Sequence, residues 1–375
     1  MTQAVPPFQV VLTADFYDAA GHLKYRDIGL DLFNLASGGR QPPDSSSSAS
    51  AASVASPSAS PRGINVQRFP EHHPVIGPEQ LAGANGVIVL TPCVTAHSLS
   101  ASQDLLGIGR FGVGFDNVDV PACTAADVVL FITAGAVDYS VAEATVGWML
   151  ALVHHVRIKD RLVREARWEE RSGYMGRELR GRTLGLIGFG GIGRALLKLL
   201  TSFGMNTPLV FDPFIPAATI AESGAMSVAL DDLLTQSDFV SLHCPLNDQT
   251  RNLISVRELA LMKPSAYLIN TARGGIVEES ALHSALSTGQ IAGAALDCFV
   301  GEPLTSPPSF SEFDNVLLAP HCIAWSDELF RDIGRAACQG LLDLAAGRRP
   351  RGVVNPEVFD RPGFQEKWQR VCEGR

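Results

Sequence analysis

Three side chains with acid–base or anion-binding chemistry come at or shortly after the ends of predicted strands in the C-terminal half of the sequence. They are Arg273, Glu302 and His321. Arginine is a permanent planar cation that binds a carboxylate through two hydrogen bonds. Histidine gives and takes a proton near neutral pH, and a neighbouring glutamate favours the protonated ring and orients it. Together they suit reduction of a 2-keto acid by hydride transfer, with Arg273 holding the substrate and His321 protonating its oxygen.

Each of these residues has a simpler interpretation when it is taken alone. A histidine after a proline, such as His321, is often a capping or core residue, and Arg273 fits a surface turn. Glu302 fits a turn before a proline, and Asp297 fits a helix cap. Spacing along the chain does not show that these groups meet, and the elements that carry them must bring them together.

A glycine-rich segment predicts the source of the hydride. An apolar run over 183–187 indicates a buried strand, and Gly188, Gly190 and Gly193 follow it with the spacing of a dinucleotide-binding turn. Gly188 allows a tight turn, Gly190 leaves room for a pyrophosphate, and Gly193 lets the next helix lie close to the strand. No capping side chain precedes that helix, so its free N–H groups suit an anion.

The residues after this turn complete the pattern. Apolar side chains at Ile192, Leu196, Leu199 and Phe203 predict one face of a helix that Gly204 ends. A second strand over 208–211 leads to Asp212, which is 19 residues beyond Gly193. Its carboxylate would accept hydrogen bonds from ribose hydroxyls and repel a 2′-phosphate. The cofactor is therefore expected to be NAD rather than NADP, and the alternative is a glycine-rich turn in another α/β protein.

Strands and helices alternate through the rest of this half. Predicted strands over 239–242, 266–269, 292–296 and 316–319 alternate with helices over 230–235 and 280–286 and precede a helix over 325–346. The alternation predicts a parallel sheet with helices on both faces. Ligands of such sheets bind beyond the carboxyl ends of the strands, where Asp297 and His321 come.

The N-terminal half predicts a second α/β domain. Strands are expected over 8–13, 64–69, 86–90 and 105–110, and helical spacing covers 25–36 and 138–171. The far half of the last segment is expected either to pack on a second subunit or to continue one core helix. A second G-x-G-x-x-G motif, over 107–112, is followed by a turn-rich segment and not by a helix, which indicates a loop whose N–H groups could meet a substrate carboxylate.

Length and composition exclude several classes of protein. The 375 residues suggest two domains, and the net charge of −9 argues against a nucleic-acid partner. Seven cysteines without paired or metal-type spacing indicate a cytoplasmic protein with reduced thiols and no metal. No signal peptide or membrane span is expected. Residues 38–62, rich in Ser, Ala and Pro, predict a disordered insert that is dispensable for chemistry.

Seven short motifs together resemble the D-isomer-specific 2-hydroxyacid dehydrogenase family, in its branch of phosphoglycerate-dehydrogenase-like and C-terminal-binding-protein-like members. The resemblance covers nearly the whole chain outside the insert and the last dozen or so residues. The motifs are GVGFDNVD at 112–119, VAE at 141–143, GFGGIG at 188–193, HCPLN at 243–247, NTARGGIV at 270–277, LDCFVGEPL at 296–304 and PH at 320–321.

The resemblance implies an NAD-dependent oxidoreductase that interconverts a D-2-hydroxy acid and its 2-keto acid. Arg273, Glu302 and His321 would be the catalytic residues, with His321 as the acid/base, and Val113, Gly114 and Arg273 would contact substrate. The residues implied at the cofactor are Gly188, Gly190, Gly191, Ile192, Gly193, Asp212, His243, Cys244, Pro245, Thr250, Thr271, Ala272 and Asp297. Glyoxylate, hydroxypyruvate, phosphoglycerate and bulkier 2-keto acids all fit.

The resemblance also implies an architecture and a competing function. It implies two Rossmann-like, doubly wound parallel-sheet domains, with a discontinuous substrate domain at 1–124 and 322–375 and an NAD-binding domain at 125–321. It further implies a homodimer. The alternative is a non-catalytic, NAD-sensing binding protein like the corepressor members of the branch.

Overall fold

The computed structural model describes residues 6–36 and 63–373. The chain divides into two compact units, of which the first comprises residues 1–137 and 326–375 and the second residues 138–325. The first unit is therefore built from both ends of the chain, as expected for a discontinuous domain. The first boundary lies at 137/138 and not at 124/125, because the strand Val129–Ile132 belongs to the first unit's sheet. The second boundary lies at 325/326 and not at 321/322, directly before the helix Asp327–Ala345.

Twelve strands and eleven α-helices occur among the described residues. The strands are β1 Phe8–Leu12, β2 Ile64–Arg68, β3 Gly86–Val89, β4 Gly107–Arg110, β5 Val129–Ile132, β6 Leu184–Ile187, β7 Leu209–Phe211, β8 Met226–Ser227, β9 Phe239–Leu242, β10 Tyr267–Asn270, β11 Gly293–Leu296 and β12 Val316–Leu318. The helices are α1 Asp31–Ala36, α2 Val120–Ala125, α3 Asp138–Val153, α4 Val156–Arg164, α5 Gly191–Leu200, α6 Ala217–Glu222, α7 Leu230–Gln236, α8 Val256–Leu261, α9 Glu279–Ser287, α10 Asp327–Ala345 and α11 Pro362–Glu373. Short 3-10 helices span Ala14–Phe16, Pro78–Leu81, Trp168–Gly173, Thr201–Phe203, Ser309–Glu312 and Pro356–Asp360.

A five-stranded parallel sheet forms the centre of the first unit. Its strand order is β2-β1-β3-β4-β5. The long helix α10 packs closely on β3 and β4 because these strands begin with glycine. A Cβ on Gly86 would lie 2.7 Å from Leu341, and one on Gly107 would overlap Leu344. The C-terminal helix thus completes a core that the N-terminal residues begin.

A seven-stranded parallel sheet, of order β12-β11-β10-β9-β6-β7-β8, forms the centre of the second unit. Four of its central strands, β6, β9, β10 and β11, are buried along their whole length, as expected for a sheet covered on both faces. One core cluster joins the sheet to α7, α8 and α9. The other joins it to α3, α5 and α6. The predicted fold class, two parallel-sheet α/β domains, is confirmed.

Two predicted helices differ from the structure. The segment 25–36 is helical only over α1, because the chain first turns through Gly29 at a φ of +74°. The segment 138–171 breaks into α3 and α4 at His155, which adopts a φ of +53°. The carbonyl of Val153 accepts the N–H of Arg177 at 2.9 Å, so α3 ends there and the interpretation as one long helix is wrong.

The predicted face of α5 is also partly wrong. The buried residues of this helix are Gly193, Leu196, Leu197 and Leu200, a face rotated from the one that the spacing suggested. The predicted disordered insert, 38–62, lies outside the described residues. Among the residues that are described, no helix is long and apolar enough to cross a membrane.

Candidate active site

The turn between β6 and α5 has the geometry that a dinucleotide requires. Gly188 adopts a φ of +94°, and a Cβ there would lie 2.7 Å from the backbone of His243 and Cys244. Gly190 faces open space, with nothing within 4 Å of a built Cβ. A Cβ on Gly191 would displace the carboxylate of Asp138. The turn leaves room at Gly190, where a pyrophosphate would lie against the backbone.

Helix α5 begins with N–H groups that no side chain caps. Such an end attracts an anion through its free donors and the helix dipole. Ile192 and Gly193 follow in its first turn, and a Cβ on Gly193 would lie 3.0 Å from the carbonyl oxygen of Gly188. The close packing of the turn on its own helix therefore depends on a third glycine.

Asp212 follows β7 and holds the glycine-rich turn from the side. Its Oδ2 accepts the N–H of Phe189 at 2.8 Å, and its Oδ1 accepts the N–H of Phe214 at 2.9 Å. Each carboxylate oxygen has a further lone pair. The side chain can therefore fix the turn and still accept hydrogen bonds from two ribose hydroxyls.

The ends of β9 and β10 present two buried polar atoms without a hydrogen-bond partner among the described residues. They are His243 Nδ1 and Thr271 Oγ1. The other ring nitrogen of His243 lies 2.9 Å from Ser241 Oγ, and burial lowers the pKa of His243 to about 4, which keeps the ring neutral. Buried polar atoms usually have partners, so these two fit a polar ligand bound at this edge, as a dinucleotide would be.

The segment after His243 forms a tight turn. Thr250 Oγ1 donates to the carbonyl of Pro245 at 2.6 Å and accepts the N–H of Asn247 at 2.8 Å, so Thr250 closes the turn. Burial raises the pKa of Cys244 to about 11, and the negative charge of Asp212 acts in the same direction. The Cys244 thiol therefore stays protonated and acts as a wall of the site, not as a nucleophile.

His321 and Glu302 form a hydrogen-bonded pair. His321 Nδ1 lies 2.7 Å from Glu302 Oε2, and Glu302 Oε1 accepts the N–H of Phe299 at 2.6 Å. Burial acts to raise the pKa of Glu302. The hydrogen bonds and the charges of His321 and Arg273 outweigh burial and hold that pKa below its usual value. An ionised Glu302 accepts the Nδ1 proton, which leaves Nε2 of His321 for proton transfer.

The backbone of His321 is held by Asp297, which follows β11. Asp297 Oδ1 accepts the N–H groups of Cys322 at 2.9 Å and Ile323 at 3.1 Å, and its carbonyl accepts the N–H of His321 at 2.8 Å. His321 adopts a φ of +54°, which is uncommon for a residue with a side chain. Burial raises the pKa of Asp297 to about 6. Asp297 therefore fixes the loop that carries the histidine.

Arg273 lies on the loop after β10, against the segment that carries Glu302. A Cβ on Gly274 would overlap the carbonyl of Phe299, so glycine allows the two loops to touch. Arg273 Nη1 donates to the carbonyl of Ala272 at 2.7 Å. The cation is close enough to lower the pKa of Glu302, so the structure brings Arg273, Glu302 and His321 together.

Two supporting residues escaped the sequence-based prediction. Asn270 is buried; its Nδ2 donates to the carbonyl of Arg273 at 2.8 Å, and its Oδ1 accepts the N–H of Ala272 at 3.0 Å. Glu279 accepts the N–H of Val300 at 2.8 Å. A buried asparagine at the end of a strand is the signal that could have identified the first, because buried amides are usually hydrogen-bonded.

Val113 and Gly114, the predicted substrate contacts, lie in the first unit. They follow β4 in a turn whose preceding residue, Gly112, donates its N–H to Thr133 Oγ1 at 3.1 Å. The second G-x-G-x-x-G motif thus supplies two strand residues, Gly107 and Gly109, and a turn. The substrate role of Val113 and Gly114 stays a prediction.

Comparison with known proteins agrees with this geometry. The family model described as "D-isomer specific 2-hydroxyacid dehydrogenase, NAD binding domain" matches residues 146–322. A D-3-phosphoglycerate dehydrogenase of Synechocystis is 38% identical over 273 residues, which cover 72% of this chain and 49% of that protein. A glyoxylate reductase of Thermofilum pendens is 38% identical over 282 residues, which cover 72% of this chain and 81% of that protein.

Solved structures extend the likeness to almost the whole chain. A glyoxylate reductase from Paecilomyes thermophila has a TM-score of 0.75 at 25% identity and covers 94% of this chain and 99% of its own. The chain spans about half the length of the phosphoglycerate dehydrogenase that it matches, but most of the length of the glyoxylate reductases.

The parallel sheet, glycine-rich turn and strand-end acid first define a dinucleotide-binding α/β protein. The chain belongs, more narrowly, to the D-isomer-specific 2-hydroxyacid dehydrogenase family, a class of NAD-dependent oxidoreductases. The predicted family, enzyme class and cofactor, NAD, are confirmed. The relatives described above are dehydrogenases and reductases, which supports the catalytic interpretation over the corepressor alternative.

Proposed function

We propose that this protein reduces a small, unphosphorylated 2-keto acid to the D-2-hydroxy acid with NADH. The observation that carries the proposal is the hydrogen-bonded His321–Glu302 pair beside the Arg273 cation. The names of the glyoxylate reductases among the relatives support glyoxylate or hydroxypyruvate as the first substrates to test. Phosphoglycerate is less favoured because the sequence has no obvious basic cluster for a phosphate.

The residues would divide the work as follows. Bound NADH supplies the hydride. Arg273 binds the substrate carboxylate and orients the keto group. His321 Nε2 donates a proton to the developing alkoxide, and Glu302 orients the ring through its hydrogen bond with Nδ1. Thr271, Ala272 and Asp297 would hold the nicotinamide side of the cofactor, and the glycine-rich turn and Asp212 would hold the pyrophosphate and the adenine ribose.

The decisive experiment follows NADH oxidation with glyoxylate, hydroxypyruvate and larger 2-keto acids, with NADPH in parallel. His321→Gln is expected to lower kcat/KM by about 10²–10⁴, the usual contribution of acid–base catalysis. Arg273→Ala is expected to lower kcat/KM as well, because the substrate carboxylate loses its cation. His283→Gln is the matched control, because His283 Nε2 lies 2.7 Å from Glu312 Oε1 in the same unit. It should keep normal turnover.

Two results would contradict the proposal. Near-normal turnover in both site variants would remove the trio from the chemistry. A higher kcat/KM with NADPH than with NADH would overturn the preference for NAD, which depends on the Asp212 carboxylate.

We further propose a cytoplasmic homodimer that pairs through the second unit. Large apolar side chains are exposed at Val156, Val163, Trp168 and Met175, on α4 and the segment after it. An exposed apolar surface of this kind is typical of a protein interface. All seven cysteines are thiols in the structure, which agrees with a reducing compartment.

A further inference from the structure

Cys298 has no part in the proposed reaction, yet it lies beside the residues that do. One ligand atom each from Cys298, Glu302 and His321 lies within 4.8 Å of the other two. Cys298 is 3% exposed, and its Sγ donates to the carbonyl of Ala272 at 3.4 Å. Glu302 and His321 reach solvent. The cluster is therefore closed on the sulfur side and open on the other.

The three side chains are the ligand types that Zn²⁺ prefers, namely a thiolate, an imidazole and a carboxylate. Tetrahedral zinc with bonds of about 2.0–2.3 Å places its ligand atoms roughly 3.3–3.7 Å apart. The ligand atoms of the cluster lie within 4.8 Å of one another, so metal binding requires the side chains to rotate to that spacing. Three protein ligands leave a fourth position for water or a substrate oxygen, as in open zinc sites.

The segments that carry these ligands are held in place independently of the cluster. Cys298 comes directly after Asp297 at the end of β11, and His321 is fixed by the hydrogen bonds to Asp297. The loop before Glu302 is held by the bond from Val300 N–H to Glu279. Preordered ligands bind a metal more tightly because less ordering is needed on binding.

We propose that Cys298, Glu302 and His321 form an inhibitory site for Zn²⁺. The ion binds His321 Nδ1 and an oxygen of Glu302 in place of the hydrogen bond between them. The Nδ1 proton and the thiol proton of Cys298 are both released to solvent as the metal binds. The bound ion separates the His321 ring from Glu302 and breaks the hydrogen bond between them. Proton transfer by His321 therefore stops until the metal leaves. Inhibition rests on the proposed function, whereas metal binding does not.

Metal binding is tested without turnover by titrating the full-length, reduced protein with Co²⁺ and recording absorption spectra. Wild type is expected to show a thiolate-to-cobalt charge-transfer band that Zn²⁺ abolishes. Cys298→Ser should lose the band and bind at least about 100-fold more weakly, because loss of a ligand exceeds the effect of an outer-shell partner. Cys322→Ser is the matched control, because Cys322 is next to His321, and it should keep the band.

Inhibition is tested by NADH oxidation with increasing Zn²⁺ and reversal by EDTA. Without metal, Cys298→Ser should turn over like wild type, and it should need at least about 100-fold more Zn²⁺ for half inhibition. A band that persists in Cys298→Ser, or a band that is absent from wild type, would overturn the site. A charge-transfer band in a protein that reduces no keto acid would instead leave the site standing and remove the proposed function.

Discussion

At the scale of single residues, Asp297 connects the sheet to the candidate acid. Its side chain accepts two N–H groups from the loop after β12, and its backbone accepts the N–H of His321. The N–H donors act to lower the pKa of Asp297, but burial is the larger effect and the pKa rises to about 6. The carboxyl group therefore changes charge in a pH range where the enzyme is expected to be folded.

Asp297→Asn should change how stability depends on pH. Because the folded state binds this proton more tightly than the unfolded chain, protonation stabilises the fold below about pH 4. That stabilisation is lost as pH rises through about 6. Asparagine keeps the acceptor oxygen and does not titrate. The Tm of Asp297→Asn relative to wild type should therefore rise between pH 4 and 7, as measured by thermal melts at fixed ionic strength, and a constant difference would contradict this assignment.

At the scale of elements, the glycines of the β6–α5 turn differ in role: some are needed for folding and others for binding the cofactor. Gly188 combines a positive φ with backbone atoms 2.7 Å from a built Cβ, whereas Gly190 has neither constraint. The first position is therefore required by the fold, and the second is left open for the cofactor. The glycines of this motif look alike in the sequence, but each is glycine for a different physical reason.

Alanine at Gly190 should weaken cofactor binding, whereas alanine at Gly188 should lower stability. Gly190→Ala should leave the Tm of the cofactor-free protein within about 2 °C of wild type but weaken NADH binding at least about 10-fold, because the methyl group occupies the pyrophosphate position. Gly188→Ala should cost at least about 2 kcal/mol, roughly 4–8 °C in Tm, through strain and overlap. Melting curves and NADH titrations measure both. Equal Tm losses would show that the open space at Gly190 is not available.

The elements also show what the sequence could predict. Short apolar runs that end in polar residues located β6, β9, β10, β11 and β12 and so the edge where Arg273 and His321 come. The break at His155 was missed because it depends on a hydrogen bond between residues distant in sequence. In this bond the N–H of Arg177 donates to the carbonyl of Val153. Likewise, the hydrogen bonds from Cys322 and Ile323 to Asp297 join segments about 25 residues apart, and local periodicity does not report them.

At the scale of the whole molecule, the exposed apolar side chains on α4 and the segment after it bear on assembly. Val163 is 58% exposed and Trp168 is 55% exposed. Both lie in the far half of the predicted 138–171 segment, which was expected either to pack on a second subunit or to continue one core helix. Side chains of this size are usually buried in a dimer when they cluster on one surface.

Val163→Asp should therefore convert the proposed dimer to a monomer at micromolar concentration, because a charge buried without a partner costs several kcal/mol. Val256→Asp is the matched control, since Val256 is 67% exposed and lies on a different helix, α8. Sedimentation velocity gives the oligomeric state of each. A wild-type monomer, or dissociation caused equally by both variants, would exclude this surface as the interface.

The position of α10 along the chain sets the order in which the protein can be completed during synthesis. The sheet of the first unit ends at Ile132, but α10, which covers β3 and β4, ends at Ala345, about 200 residues later. At usual translation rates the ribosome needs roughly 10–40 s to make that stretch. Throughout this time part of the first core is exposed, while the continuous second unit can fold as it emerges. In a chain that stops before α10, the residues of the first unit, which are made first, should therefore depend on chaperones, whereas those of the second unit should not.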